Sequence, residues 1–136
     1  MSTDYTIDVL VFVSHPSRRA KEISSALGWT PGNSWSAGDD RITPTGQKLG
    51  GIREDTMCSF SFYLNEEDGT STAEDKVKHL LTKQPYVKDL IESGGKFRLK
   101  IHLNGQFHCH LGLSTETMAD LSKLGIPFEV ECFPDG

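Results

Sequence analysis

Residues 5–13 constrain the chain most. Ile7, Val9, Val11 and Val13 alternate along one side of an extended segment, while Leu10 and Phe12 make its other side apolar as well. A strand that is apolar on both sides belongs inside a sheet, so the segment predicts an interior strand. A helix follows: Ser14 or His15 can cap it and Pro16 suits its first turn. Ala20, Ile23 and Leu27 then recur at helical spacing, and Gly28 can end the helix in the left-handed conformation.

Periodicity is lost over residues 29–55. Pro31 and Pro44, with Gly32, Gly38, Gly46, Gly50 and Gly51, interrupt it every few residues, and short strands fit only around residues 41–43 and 48–53. It returns where Cys58, Phe60, Phe62 and Leu64 alternate with Ser59, Ser61 and Tyr63, the pattern of a half-buried strand. Ser71-Thr72-Ala73-Glu74 reads as a capping box for a helix burying Val77, Leu80 and Leu81. Pro85 opens a second helical segment with Val87, Leu90 and Ile91 inward, closed by Gly94-Gly95.

Two further alternations follow, Phe97-Leu99-Ile101 and Phe107-Cys109-Leu111. A three-residue loop of Leu103, Asn104 and Gly105 would pair Ile101 with Phe107 and Leu99 with Cys109, keeping one face apolar throughout; this predicts a bulged hairpin. Ser114 caps a short helix burying Met118, Leu121 and Leu124 and stopped at Gly125. Pro127 opens a last strand with Phe128, Val130 and Cys132 inward and Glu129 and Glu131 outward. The order predicts an α+β fold, a single mainly antiparallel sheet with helices packed on one face. At 136 residues the chain reads as one globular domain, residues 1–136.

Hydrophobic residues make up 36% and charged residues 24%, enough to fill a core. The formal net charge of −5 is the wrong sign for a phosphate-binding surface, so nucleic acid is not expected and a basic protein partner fits better. No apolar run approaches the ~20 residues that cross a bilayer, and the first residues do not resemble a signal peptide. Cys58, Cys109 and Cys132 lie far apart, each in phase with the apolar residues of its strand. They read as buried thiols in a reducing, cytoplasmic setting.

Ile23-Ser24-Ser25-Ala26-Leu27-Gly28, then Pro31, Trp35 and Gly38-Asp39, resembles the opening of the bacterial domain of unknown function family 4279. The later order is similar too, with a middle helix carrying Leu80-Leu81, a two-stranded stretch, residues 114–125 and a final strand. The neighbourhood Asp55-Thr56-Met57-Cys58 departs from the family, which often has Trp there. No activity is assigned to that family; its grouping with immunity proteins of bacterial toxin systems implies a binding role.

Three sets of residues could carry function. In the irregular stretch, Trp29, Trp35, Asp39, Asp40 and Arg41 are recognition residue types on a long connection. Arg98 and Lys100 with the histidines form a basic stripe on one strand face, open to an acidic partner or an anion unless Glu129 and Glu131 lie beside it. His108 and His110, at i and i+2 and about 7 Å apart, share that face with His102. Three imidazoles could hold a zinc-like metal, although Arg98 and Lys100 oppose a dication. No serine has an activating His-and-acid setting and no phosphate loop occurs, so no catalytic residue is assigned and no cofactor is expected. The reading is a protein-binding domain, immunity-like in one version; the alternative is a metal-dependent or small-molecule enzyme centred on His102, His108 and His110.

Overall fold

The structure, a computed structural model, describes residues 6–64, 70–105 and 111–133. In chain order its elements are β1 (Thr6–His15), α1 (Ala20–Leu27), β2 (Asn33–Trp35), β3 (Asp40–Ile42), β4 (Lys48–Ile52) and β5 (Thr56–Leu64). Then come α2 (Thr70–Thr82), α3 (Gln84–Glu92), β6 (Lys96–Asn104), α4 (Thr115–Leu124) and β7 (Phe128–Phe133).

The expected α+β class holds, but the single antiparallel sheet does not. Five strands form a mixed sheet in the order β2-β5-β1-β6-β7, and β3 and β4 form a separate two-stranded sheet. β1 lies at the centre, antiparallel to β5 and β6, with Ile7, Val9, Val11 and Val13 buried on one face and Leu10 and Phe12 half-buried on the other. β7 is parallel to β6 because the chain returns through α4, and a helix-length crossover brings a strand back in the same direction. The β3–β4 ribbon stays apart because every residue of both strands is exposed and neither offers an apolar face to the main sheet.

The expected hairpin is corrected by the same topology. Its second arm falls on residues 106–110, outside the described ones. The neighbours of Ile101 are Val9 and Val130, and those of Leu99 are Val11 and Phe128, so both sides of β6 are already paired.

The in-phase side chains Val9, Val11, Val13, Cys58, Phe60, Phe97, Leu99 and Ile101 are buried in one core with Ile23, Leu27, Val77, Leu80, Val87, Leu90, Leu121 and Leu124, contributed by all four helices. Each large aliphatic or aromatic side chain so buried contributes ~1.5–3 kcal/mol before entropy is counted. Cys58 is the buried thiol expected; its surroundings push it up to about 11 by desolvation. Cys132, expected inward, is exposed because β7 is the last strand of the sheet. Cys109 lies outside the described residues.

Helix ends show where sequence grammar is overridden by tertiary contacts. β1 runs on to His15, and α1 starts only at Ala20, whose N–H donates to Ser36 Oγ at 2.9 Å across the fold. His15 is buried; its Nδ1 accepts the backbone N–H groups of Ser17 (3.0 Å) and Arg18 (2.9 Å), and its Nε2 meets Ser93 Oγ at 2.9 Å. Burial first, and then the nearby Arg18, hold its pKa below the ordinary imidazole value. His15 thus closes the strand-to-helix turn and ties it to the end of α3.

Ser114 caps α4 as expected, its Oγ accepting from Thr117 N–H at 3.1 Å. In the expected α2 capping box, the Ser71 side chain lies outside the described ones, and Glu74 reaches elsewhere. Its Oε2 accepts from Thr117 Oγ1 (2.5 Å) and Ser114 N–H (3.0 Å), clamping α2 to α4. Those bonds, Thr117 foremost, lower the Glu74 pKa from 4.5 to about 2. A carboxylate lowered on folding contributes stability that is present above its unfolded value and is lost as pH falls through the folded one. The Glu74 contribution therefore fades between about pH 4.5 and 2. Glu74→Gln should flatten the fall of the urea midpoint over that window; an unchanged slope would remove Glu74 from the acid response.

Candidate functional site

The out-of-phase side chains of the sheet carry its polar chemistry. On β6 these are Arg98, Lys100 and His102; on β7 they are Glu129 and Glu131, set beside them by the parallel register Lys100↔Glu129 and His102↔Glu131. Arg98 forks onto Glu129, Nε to Oε1 at 2.9 Å and Nη2 to Oε2 at 2.6 Å. Lys100 Nζ reaches Glu131 at 2.5 Å and Glu129 at 3.8 Å, and lies 5.5 Å from the Phe12 ring centre. Arg98 lowers the Glu129 carboxyl, and Lys100 lowers that of Glu131. The basic stripe legible in the sequence is thus neutralised by the last strand, the arrangement that strand order alone could decide. Exposed pairs of this kind contribute ~0.2–1 kcal/mol each.

His102 lies in the next row, between Asp8 of β1 and Glu131 of β7, with its ring 5.1 Å from that of Phe133. His102 Nε2 and Asp8 Oδ1 are buried with no hydrogen-bond partner among the described residues. His108 and His110 lie outside the described residues. Among the described residues no three His, Cys, Asp or Glu side chains gather as a metal-binding group.

The two tryptophans of the irregular stretch separate. Trp29 is half-buried on the core, with Phe60, Phe62 and His79 at 5.4, 5.1 and 4.7 Å between ring centres. His79 in turn holds the end of α1 through Leu27 O at 2.6 Å. Trp35 sits on edge strand β2 in register with Met57 and lies 4.0 Å beneath the Arg53 guanidinium, whose Nε is buried with no hydrogen-bond partner among the described residues. Asp39 accepts from Ser36 N–H at 2.9 Å and pairs with Arg19 at 3.5 Å, fixing the root of the ribbon. Asp40 and Arg41 stand in β3, exposed.

Two clefts flank the Trp35–Arg53 stack. One, about 500 Å³, is lined by Asn33, Asp39, Asp40, Ile42 and Pro44; the other, about 450 Å³, by Ser14, Arg41, Ile52 and Glu54. Above them the ribbon exposes Ile42 (43%), Leu49 (51%) and Ile52 (59%), which are, among the described residues, all of the exposed large apolar side chains outside the opposite edge of the sheet. Sequence reasoning did not select these three. The signal for Leu49 and Ile52 was the short Lys48-Leu49-Gly50-Gly51-Ile52 run, whose glycines take positive φ (+83° and +77°) and leave the strand without a buried side.

At that opposite edge, Met118, Phe128 and Val130 are exposed, and with Leu103, Leu111, Leu121 and Ile126 they line an apolar groove of about 620 Å³ between α4 and β7. No helix among the described residues is long and apolar enough to cross a membrane. No family model, curated protein or solved structure matches the chain.

Proposed function

We propose that the chain is a non-enzymatic protein-binding domain that engages a basic partner through the β3–β4 ribbon and the Trp35 wall beneath it. The observation that carries this reading is the ribbon itself, whose two strands pair only with each other among the described residues and present Ile42, Leu49 and Ile52 to solvent. Large aliphatic side chains grouped on an element that adds nothing to the core mark an interaction surface. Asp40, Glu54 and Asp55 surround it and make no ion pair among the described residues, and the whole chain carries −5. Such a surface attracts a basic partner by electrostatic steering and retains it by apolar contact. Blocking a basic toxin, a version that rests on the resemblance to family 4279 together with the net charge of −5, is one form of this binding.

Tagged chain incubated with host lysate should retain a stoichiometric basic protein at low salt and release it at high salt. Replacing Ile42, Leu49 and Ile52 together by Ser should cut that capture by about tenfold or more while leaving thermal stability in place. Equal capture by the triple variant would remove the ribbon from the interface.

A further inference from the structure

We propose that the outer edge of β7, unpaired among the described residues, accepts an added strand from a protein partner, an extended segment in which aliphatic residues alternate with Lys or Arg. This surface lies at the end of the sheet away from the ribbon side, and the inference stands independently of the ribbon reading.

The backbone supplies the first part. Among the described residues β7 is the last strand in the sheet order, with β6 its neighbour. Leu99 N–H donates to Pro127 O at 3.1 Å, and Gly105 N–H donates to Phe133 O at 3.2 Å. Backbone groups in a parallel ladder face the partner at every second residue. Residues 127, 129, 131 and 133 therefore face β6, and Phe128, Val130 and Cys132 turn their N–H and C=O groups outward. An edge with such a row of groups is a template for strand addition unless it is blunted. The usual devices, Lys or Pro within the strand or a bulge, do not occur between Phe128 and Phe133.

The side chains supply the second part. Leu99 and Ile101 on β6 are fully buried, whereas Phe128 and Val130, beside them in register, remain 37% and 46% exposed. Met118, 50% exposed on α4, forms the other wall of the apolar groove. A strand laid along β7 would drop every second side chain into this groove, which selects aliphatic residues there.

The charge pattern selects the others. They would fall beside Glu129 and Glu131, whose side chains remain 36% and 43% exposed despite their bonds to Arg98 and Lys100. A carboxylate has lone pairs for a second cation, so Lys or Arg is favoured. A second copy of this chain fits badly: antiparallel pairing about Val130 would set Glu129 of one copy opposite Glu131 of the other, and like charges facing across a strand pair are destabilising.

The test is a titration of the isotope-labelled full chain with the capped peptide Lys-Val-Lys-Val-Lys-Val-Lys, followed by amide NMR. Saturable shifts should map to β7 and α4, and the Glu-for-Lys peptide should bind about tenfold or more weakly. Val130→Pro removes only an outward N–H, which an edge strand tolerates, and should abolish the shifts while the rest of the spectrum is kept. Met118→Lys places a cation in the groove without touching the backbone and should weaken binding comparably. Shifts confined to other surfaces, equal affinity for the acidic peptide, binding unchanged in both variants, or a concentration-dependent dimer of the free chain would each overturn the proposal. Lysate capture by the ribbon should be unaffected by either variant, so the two surfaces fail separately.

Discussion

Gly95→Ala should destabilise the chain by about 2–4 kcal/mol, far more than its single added methyl suggests. Gly95 is buried at the junction of α3 and β6, where its N–H donates to Leu90 O at 2.8 Å and closes the helix. A Cβ there would stand 2.7 Å from that same carbonyl oxygen and would also penetrate the Leu90 side chain. Neither can yield cheaply: Leu90 is fully buried in the core, and its carbonyl is the hydrogen-bond acceptor that turns the chain into β6. The strain is therefore steric and local. Gly46→Ala is the internal comparison, because Gly46 has φ +91° but open space around its missing Cβ. It should cost only the conformational penalty of about 1 kcal/mol. Urea midpoints of the two variants separate the causes; a Gly95→Ala loss no larger than that of Gly46→Ala would show that the junction relaxes around the methyl.

Side-chain period carried most of the local structure. The two-sided apolarity of residues 5–13 placed β1 inside the sheet, and it is the central strand. Gly28 and Gly125 end their helices at φ +74° and +76°, as their positions after Leu27 and Leu124 required. Period says which face a residue occupies, but not which strand stands beside it. Phe97-Leu99-Ile101 and Phe107-Cys109-Leu111 satisfy one hairpin register, yet β6 takes Val9 and Val130 as the neighbours of Ile101 instead. The same ambiguity hid the character of the basic stripe. Arg98 and Lys100 are out of phase in any topology, and only the parallel return of β7 puts Glu129 and Glu131 against them. It also hid the apolar groove, since Phe128 and Val130 point to the core side and stay exposed only because no described strand follows β7.

The tryptophans give the sharpest division between fold and recognition, and Trp29→Ala should cost about 2–4 kcal/mol in stability. Full burial would place the loss at about 3–5 kcal/mol, and half-burial lowers it. Trp29 joins α1, β5 and α2 by packing on Phe60, Phe62 and His79, so its removal opens a gap where three elements meet. Trp35→Ala should cost less than about 1 kcal/mol, the size of an exposed cation–π contact, because Arg53 gains water as it loses the ring. Partner capture should move in the opposite sense, falling with Trp35→Ala and surviving Trp29→Ala at temperatures where that variant remains folded. Urea denaturation and lysate capture on the same two proteins test both halves. A large stability loss for Trp35→Ala would make the Arg53 stack part of the fold and leave the ribbon without its wall. Lost capture by folded Trp29→Ala would instead extend the binding surface across the end of α1.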